Sequence, residues 1–435
     1  MNYLKHPPII QWEVTPFCNH DCIHCYNYWR SEDTKKQDLV FNKNTAEQYY
    51  LKIAKRIIDA KPVIVTITGG EPISVFSKIK SSIDLFLKEG IYVTINTNST
   101  LIDDEIAQYL KDNRIPLFVS LPCSNASVCN SIINVENGFK RIDSQLRKLI
   151  SIGIEVHTNM VVSKLNLNYV YETAKYVKEE LGLNYFCATK ASLPINAKSI
   201  FSKYLLNKND FEYLLHILDK VKQDFCMEID SSSVYPFCGL PVSCYKNFAF
   251  KRRCNAGRIS FAITATGDIK ACARDSKEYG NILKNTFSDS IKRMISWQNG
   301  KNIPAECKDC RHLWLCGGGC RIDAEVINGS ICSLDPLVNL KNKNKEFLNK
   351  ESTCVINENE ILFVADGVNF VEEDTCYRIS HRKRFVFISK PFANYIFSHK
   401  TFTPKDISNY FNLDTVYVSR LLASFVQKGL VQSRT

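Results

Sequence analysis

Residues 18–26 read Cys18-Asn-His-Asp-Cys22-Ile-His-Cys25-Tyr26, which places three cysteines at the spacing C-x3-C-x2-C directly before an aromatic residue. The stretch Ile-Gln-Trp-Glu-Val at 10–14 precedes this loop and is typical of a buried strand. Three thiolates suit a [4Fe–4S] cluster in which one iron has no protein ligand and stays open to a small molecule. The spacing therefore predicts a metal-cluster loop at the end of a strand.

This cysteine loop resembles the motif of the radical S-adenosylmethionine (SAM) enzymes. In that family the open iron chelates SAM, and an electron cleaves it to a 5′-deoxyadenosyl radical. The resemblance implies that Cys18, Cys22 and Cys25 hold the cluster and that Tyr26 contributes to cofactor binding.

The composition is that of a globular protein, with 435 residues of which 45% are hydrophobic and 23% charged. A chain of this length is expected to hold two or three domains. Its start lacks the apolar stretch of a signal peptide, and no segment reaches the roughly 18 apolar residues of a membrane span. We therefore expect a cytoplasmic protein without a membrane partner. Because cytosolic disulfides are rare, the 18 cysteines indicate metal or redox chemistry.

The formal net charge of +11 overstates how basic the protein is, because it counts every cysteine as neutral. A [4Fe–4S]²⁺ core carries about −1 with three thiolates and about −2 with four, so three clusters would leave roughly +6 or +7. This mild excess suits an acidic peptide partner or an ordinary solvated surface equally well. It gives nucleic acid little support as a partner.

Short β-branched runs alternate with amphipathic helical stretches from residue 10 to about 191. The predicted strands are 10–15, 63–68, 91–96, 117–121, 154–162 and 184–188, and the clearest helices are 45–60, 78–89 and 137–151. Such alternation predicts a parallel sheet with helices outside it. Six β/α units resemble the partial TIM-like (β/α)6 barrel of radical SAM enzymes, so we predict an α/β fold with its active site at the carboxyl ends of the strands.

The sequence Thr-Gly-Gly-Glu-Pro at 68–72 follows the second predicted strand. Glycines allow backbone groups to approach a ligand closely, and a carboxylate can accept hydrogen bonds from an ammonium group. The segment resembles the family's GGEP motif, which implies that the backbone of Gly69 and Gly70, together with Glu71, holds the amino group of SAM. A tight turn is the alternative.

Polar residues also follow other strands. Asn98, Ser120 and Asn159 resemble positions that contact the ribose and carboxylate of SAM, although each could equally cap a loop. Family members often read Ser-Leu-Asp-Gly on the fourth strand and Arg-Gly soon after. This chain has Ser-Leu-Pro-Cys at 120–123 and Ile-Asn at 133–134, so the residue that neutralises the SAM carboxylate stays open.

A second cysteine pattern reads Cys254-x12-Gly267-x4-Cys272, then Cys307-x2-Cys310-x5-Cys316-x3-Cys320, then Cys332. All seven cysteines match the signature of SPASM domains, which carry one or two further [4Fe–4S] clusters in peptide- and protein-modifying radical SAM enzymes. By the family's interleaved pattern, the resemblance assigns an outer cluster to Cys307, Cys310, Cys316 and Cys332. It assigns an inner cluster to Cys254, Cys272 and Cys320.

The inner cluster then lacks a fourth ligand. Cys244 is the preferred candidate and Cys238 the next, and otherwise the open iron could bind a substrate thiolate. Zinc is the alternative in both motifs. A knuckle at the first motif could recruit His20 or His24, whereas a zinc ribbon would explain four cysteines of the second motif but not seven.

Some cysteines lie outside both motifs. Free cysteine is commonly a small buried hydrophobe, and we expect this of Cys187, Cys226, Cys354 and Cys376. Cys123 and Cys129 directly follow the fourth predicted strand. A substrate or redox role is a hypothesis for them, and Cys123 is the candidate catalytic residue.

A polar stretch at 339–352 separates a C-terminal module. Strand patterns at 360–376 and 384–388 precede predicted helices at 391–399, 404–411 and 415–428. Ser389, Thr403 and Asp414 are the expected N-caps, and Gly429 follows the last helix. Strands with three helices in about 75 residues suggest a winged-helix-like unit.

Three roles are open for this module. DNA binding is weakly supported, because the last helix offers only Arg420 and Lys428 as cations. The arrangement resembles leader-peptide-recognition domains, which capture a precursor as an added strand, although these are more often N-terminal. An acidic leader could be attracted by Arg378, Arg382, Lys383 and Arg384. A purely structural unit is the third possibility.

We therefore predict a radical SAM partial barrel at 1–200, bridging helices at 201–245, a SPASM domain at 246–345 and a winged-helix-like module at 355–435. The whole resembles radical SAM/SPASM maturases of ribosomally made peptides. The amino-acid sequence from Cys18 to Arg30 most resembles that of clostridial maturases of Cys-rich, bacteriocin-type precursors.

The resemblance implies that the radical abstracts hydrogen from a precursor peptide and that the auxiliary clusters accept the surplus electron. An oxidative cross-link follows, with a thioether favoured and a carbon–carbon link next. The implied partners are a leader-bearing precursor and an electron donor such as flavodoxin or ferredoxin.

Three alternatives stay open. Sulfatase maturases, which form formylglycine, place Asp where Ala273 follows Cys272. A peptide epimerase needs a hydrogen donor such as Cys123. A DNA-binding redox regulator would not cleave SAM.

Overall fold

The computed structural model describes residues 4–25, 47–193, 200–232, 234–240, 253–344 and 355–433. Tyr26, Cys244 and Cys354 lie outside these ranges.

Strands and helices alternate through the N-terminal half. The elements are β1 (Ile9–Glu13), α1 (Glu47–Asp59), β2 (Ile64–Thr68), α2 (Phe76–Lys88), β3 (Tyr92–Thr97), α3 (Asp104–Asp112), β4 (Leu117–Ser120), α4 (Ala126–Ile133), α5 (Gly138–Ser151), β5 (Val156–Val162), α6 (Val170–Glu179), β6 (Tyr185–Lys190), α7 (Lys208–Phe225) and β7 (Glu228–Asp230). The predicted α/β class is confirmed, and each of the six predicted strands is present.

The strands form one open sheet in the order β7-β6-β5-β4-β3-β2-β1, with each neighbouring pair parallel. Two strands from the cysteine-rich region, β8 (Ser260–Ile263) and β9 (Ile269–Lys270), extend this sheet beyond β1. β8 is parallel to β1, with Ile10 opposite Phe261, and β9 returns antiparallel. The sequence did not predict β7, β8 or β9, and all three are short.

The two faces of the sheet differ in polarity because successive side chains of a strand point to opposite faces. Ile10 and Trp12 of β1 are fully buried on the helix-facing side, where the Trp12 ring meets Phe86 edge-on at 5.9 Å between centroids. Polar residues occupy inner-face positions in the carboxyl-terminal half of six strands, namely Glu13, Thr68, Asn96, Ser120, Asn159 and Thr189. The sheet thus encloses a polar interior, which we call the lumen.

Short helices complete the cysteine-rich region. They are α8 (Phe287–Arg293), α9 (Ile295–Gln298), α10 (Leu313–Cys316) and α11 (Arg321–Asn328). The region shares its hydrophobic core with the barrel, because Phe261, Ile263 and Trp297 belong to the same buried cluster as Ile10.

The C-terminal module has its own core. Its elements are β10 (Leu362–Val364), β11 (Asn369–Glu372), β12 (Cys376–His381), β13 (Arg384–Ser389), α12 (Lys390–Ser398), α13 (Pro404–Phe411), α14 (Thr415–Gln427) and β14 (Val431–Ser433). β11, β12 and β13 form an antiparallel sheet, and β10 pairs with β14. The predicted caps are confirmed, since the side chains of Ser389, Thr403 and Asp414 each accept a backbone N–H of the following helix.

Arg378 and Glu373 join this module to the barrel. Glu373 Oε2 accepts the backbone N–H groups of Lys5 at 2.6 Å and His6 at 3.3 Å. Arg378 is 1% exposed and donates to the carbonyl oxygens of His6, at 3.2 Å, and Lys61. Both partner segments directly precede strands of the sheet. The module therefore lies at the amino ends of the strands, opposite the edge that carries the cysteine loop.

The structure places the members of the basic cluster differently. Arg378 is buried against carbonyl groups, which corrects its interpretation as a surface cation, whereas Arg382, Lys383 and Arg384 are exposed. Lys383 pairs with Glu155 at 3.5 Å, and Arg384 donates to the carbonyl of Gln427. Attraction of an acidic leader to the exposed cations stays a prediction.

No helix in the described ranges combines the length and apolar character needed to cross a bilayer.

We predict that Arg378→Gln loosens the C-terminal module. The shorter side chain leaves buried carbonyls without their donor, which should lower the free energy of unfolding by roughly 2–4 kcal/mol. Thermal unfolding and limited proteolysis would show a lower transition and earlier release of the module. Lys400→Gln, at an exposed position, is the control, and equal behaviour of the two variants would contradict the docking role.

Candidate active site

Backbone hydrogen bonds join the loops that follow β1 and β2. Gly70 N–H donates to Thr15 O at 2.7 Å, and Glu71 N–H donates to Phe17 O at 2.7 Å. A Cβ on Gly70 would lie 2.0 Å from Phe17 O, and one on Gly69, whose φ is +133°, would lie 2.5 Å from Thr15 O. The two glycines are thus required by close backbone approach. They fix the segment that leads directly into Cys18.

Glu71 is buried beneath this contact. Its Oε1 accepts Thr97 Oγ1 at 2.7 Å and Ile73 N–H at 3.0 Å, and its Oε2 accepts Asn98 N–H at 2.8 Å. Burial raises the pKa of Glu71 to about 7, and these three donors oppose the rise. The carboxylate therefore fastens the end of β3 to the glycine loop. Its predicted contact with the amino group of SAM remains a prediction.

The cysteine loop rests on its neighbours through polar contacts. Cys18 Sγ accepts His20 N–H at 3.4 Å and Asn98 Nδ2 at 3.9 Å. Asn98 Nδ2 also donates to Asn19 Oδ1 at 2.8 Å. Cys18, Cys22 and Cys25 are each half-buried. A partly exposed set of thiols with N–H donors aimed at sulfur suits the ligands of a cluster that keeps one side open.

Ser120 and Asn159 lie side by side on β4 and β5, where they are register partners. Thr189 Oγ1 of β6 donates to Asn159 Oδ1 at 2.7 Å. The structure thus brings two predicted site residues together at the lumen. Their contact with SAM stays a prediction.

Cys254, Cys272 and Cys320, which we call the inner group, have neighbouring thiols, and their role as ligands of one cluster stays a prediction. Burial raises the pKa of Cys272 and of Cys320 to about 12, and each group has Cys254 as an electrostatic neighbour. Cys320 Sγ also accepts Arg274 Nη1 and Asp323 N–H, both at 3.5 Å.

A buried ion network ties the inner group to β6. Lys190, the last residue of β6, pairs with Asp323, and Arg274 Nη2 meets the other carboxylate oxygen at 2.6 Å. Burial by itself would raise the pKa of Asp323, but these two cations hold it well below its usual range. The inner group is therefore joined to β1 through β8 and β9, and to β6 through this network.

The thiols of Cys307, Cys310 and Cys316 line one cavity together with Cys238, and we call these four the outer group. The resemblance expected Cys332 as the fourth ligand, but the structure places that residue elsewhere. Cys332 is exposed and lines a different cavity, with its Sγ 3.5 Å from Lys301 O. Cys238, expected near the inner group, lies in the outer group instead.

Within the described residues, no three His, Cys, Asp or Glu side chains converge on one metal-ion position. The described cysteines carry thiols rather than disulfides.

One family model matches the N-terminal part of the chain. Residues 12–177 match the model of the radical SAM superfamily. This segment is a radical SAM domain. The protein is thus an enzyme that uses SAM and a [4Fe–4S] cluster, and the fit of the cysteine loop described above agrees with that cofactor set.

Relatives of this radical SAM protein cover most of its length. The AdoMet-dependent heme synthase of Methanosarcina barkeri is 22% identical over 356 residues, covering 76% of this chain and 95% of that protein. The cysteine-type anaerobic sulfatase-maturating enzyme of Clostridium novyi is 24% identical over 333 residues, covering 71% of this chain and 86% of that protein.

Solved structures share the fold. Native anSMEcpe with bound AdoMet and Cp18Cys peptide has a TM-score of 0.61 at 18% identity, covering 76% of this chain and 93% of its own. Streptococcus suis SuiB bound to the precursor peptide SuiA has a TM-score of 0.61 at 16% identity, covering 77% of this chain and 76% of its own. The partial-barrel architecture is therefore that of radical SAM enzymes.

The remaining cysteines differ in how far they are buried. Cys123 and Cys129 are fully buried in the hydrophobic core, and burial raises the pKa of Cys129 to about 12. This position does not support a catalytic role for Cys123. Cys187 is buried as expected, Cys376 is half-buried, and Cys226 is exposed, contrary to expectation.

Glu13 is a functional candidate that the sequence analysis missed. It ends β1, faces the lumen and is 2% exposed. Burial raises its pKa to about 7, while Lys270 opposes the rise. An acidic residue at the end of the first predicted strand was the available signal.

We predict that Gly70→Ala disrupts the site. The added methyl group must displace the backbone at Phe17, and a shift of about 1 Å should lower SAM cleavage roughly tenfold to hundredfold. Formation of 5′-deoxyadenosine and iron content measure this effect. Gly153→Ala is the control. Its φ of +85° means that alanine strains the backbone there, but no atom lies within 4 Å of the added methyl group. Unchanged cleavage by Gly70→Ala would contradict the role assigned to the close approach.

We predict that Glu13 makes stability depend on pH. Its folded pKa lies above the ordinary value of 4.5, so stability falls as pH rises from about 4.5 to 7. Glu13→Gln should therefore be more stable than the parent at pH 8, by roughly 1–3 kcal/mol, with the gap closing towards pH 5. Thermal unfolding across this range measures it, with the exposed Glu105→Gln as control. A constant gap would refute the assignment.

Proposed function

We propose that this radical SAM enzyme oxidises a ribosomally made precursor peptide. The reaction forms a cross-link within the peptide and removes two hydrogens from it. The observation that carries the proposal is the inner cysteine group, which is joined to β1 through β8 and β9 and to β6 through the network of Lys190, Asp323 and Arg274. The related structures of anSMEcpe and SuiB each hold a peptide, which supports a peptide as the class of substrate.

The lumen suits a peptide main chain. The side chains of Glu13, Thr68 and Asn96 offer hydrogen-bond partners on adjacent strands. An extended peptide carries one N–H and one C=O per residue, and these need partners when water is excluded. The polarity of the inner face therefore supports a peptide as the class of substrate.

The cofactors supply the radical. When bound, the cluster of the cysteine loop and SAM generate a 5′-deoxyadenosyl radical that removes a hydrogen atom from an unactivated C–H bond. The chain's own residues position the cysteine loop and the glycine loop. Glu71 ties the end of β3 to the glycine loop, and Asn98 donates to Cys18 Sγ.

A thioether is the product we favour, with a carbon–carbon link second. In the thioether reaction a peptide C–H and a cysteine S–H are replaced by a C–S bond. One hydrogen atom leaves in 5′-deoxyadenosine and the other as a proton, and one electron is released. Cys254, Cys272 and Cys320 are proposed to hold an auxiliary [4Fe–4S] cluster, with Cys244 as fourth ligand. The buried cations Arg274 and Lys190 beside them would stabilise its negative charge.

Leader binding is proposed for the C-terminal module. The three-stranded sheet of β11, β12 and β13 has β11 at an edge, and three of its four residues are exposed. An extended leader could pair with such an edge. Because the module lies at the amino ends of the barrel strands, the leader would be separated from the reacting residues by about the length of a strand, roughly 17–20 Å.

The decisive experiment is mass spectrometry of a Cys-rich precursor, encoded beside this gene, after anaerobic incubation with SAM and reductant. We expect a loss of two hydrogens and one cysteine that no longer reacts with an alkylating agent. The chain with Cys18→Ala, Cys22→Ala and Cys25→Ala is the matched control and should give no product.

Three other outcomes would indicate a different activity. An unchanged mass with deuterium gained from heavy water would indicate epimerisation. Conversion of a cysteine or serine to formylglycine would indicate sulfatase-maturase chemistry. Oxidation of a porphyrin precursor of heme, with the peptide untouched, would contradict a peptide substrate.

A further inference from the structure

We propose that the outer group, Cys238, Cys307, Cys310 and Cys316, is the complete ligand set of a second auxiliary cluster, and that Cys332 is not a ligand. This inference rests on the auxiliary clusters of the proposed function. It does not depend on which peptide is modified.

The four thiols surround one space. All four residues line a single cavity, which Pro236 and Phe237 border beside Cys238. Cys307 has the thiols of Cys316, Cys238 and Cys310 as its electrostatic neighbours, and Cys238 has those of Cys316 and Cys310. Four thiols around one cavity match the four irons of a [4Fe–4S] cluster, with one ligand each.

Backbone N–H groups lie near these sulfurs. Those of Phe237, Gly318 and Gly319 lie near the Cys316 thiol, and that of Asn339 lies near the Cys238 thiol. Gly317, Gly318 and Gly319 all have positive φ, from +67° to +85°, so the turn that follows Cys316 requires glycine. Hydrogen bonds from N–H groups to sulfur are a feature of iron–sulfur sites. The segment with Cys238 thus contributes both a ligand and a donor.

Cys332 lies outside this arrangement. The helical turn Ala305–Cys307 separates its cavity from that of the outer group, since Glu306 borders both. Among the residues that the structure describes, no other cysteine lines the cavity of Cys332. The Cys332 backbone N–H is bonded to Ser330 Oγ at 3.2 Å, which holds the residue in an exposed turn.

The position of Cys238 is fixed by packing. Phe237 and Leu240 are buried in the main core on either side of it. A Cβ on Gly239 would lie 2.3 Å from Leu337 O, so the segment is pressed against residues 335–339. A cluster bound by Cys238 would therefore fasten the chain that leaves β7 to the cysteine-rich region. It would also leave Cys244 for the inner group.

Iron counting tests the assignment in the full chain that carries Cys18→Ala, Cys22→Ala and Cys25→Ala, so that only auxiliary clusters remain. We expect about eight irons per chain in this parent and about four after Cys238→Ser, with loss of one electron paramagnetic resonance signal. Cys332→Ser and the exposed control Cys226→Ser should both retain about eight. Loss of iron from Cys332→Ser, with retention in Cys238→Ser, would overturn the proposal.

Differential alkylation tests the ligand assignment without any substitution. This test therefore still applies if the Cys238→Ser chain fails to fold. In the iron-loaded enzyme, iodoacetamide should modify Cys332 and spare Cys238, and removal of iron should make Cys238 reactive. Protection of Cys332 that disappears on removal of iron would refute the proposal. A parent without auxiliary iron would instead contradict the auxiliary clusters themselves, whereas absence of peptide product would leave the ligand assignment intact.

Discussion

The structure depends on the backbone contact between the loops that follow β1 and β2. Gly70 and Glu71 donate to the carbonyls of Thr15 and Phe17, both at 2.7 Å, and no side chain fits at the glycines. The contact sets the direction in which the chain leaves β1, and so the position of Cys18. Glu71 extends it to β3 through Asn98, whose side chain returns to Cys18. One cooperative set of hydrogen bonds thereby positions the cysteine loop.

The cysteine-rich region is built onto the barrel rather than attached by a linker. β8 continues the sheet beside β1, and the network of Lys190, Asp323 and Arg274 fastens the region to β6. Buried charges of this kind are costly unless they are paired, so the network is sensitive to position. It brings cations next to Cys320, where a thiolate and a cluster would carry negative charge. Packing and electrostatics therefore support the same arrangement.

Much of the fold was predictable because local signals were strong. The six strands of the barrel have clear β-branched runs, and the helix caps Ser389, Thr403 and Asp414 act within three residues of sequence. β7, β8 and β9 were missed because two to four residues carry too little periodicity. Arg378 was misjudged as a surface cation because its carbonyl partners lie more than 300 residues away.

The sequence by itself determined the chemistry of this protein. The spacing of Cys18, Cys22 and Cys25 and the glycines after β2 are local patterns that can be recognised without knowledge of the fold. Only the tertiary structure decided which distant residues meet. It joined the glycine loop to the cysteine loop, placed Cys238 with the outer group, left Cys332 exposed and buried Cys123 and Glu13. Spacing constrains residues within a loop, whereas contacts across long loops depend on how the whole core packs.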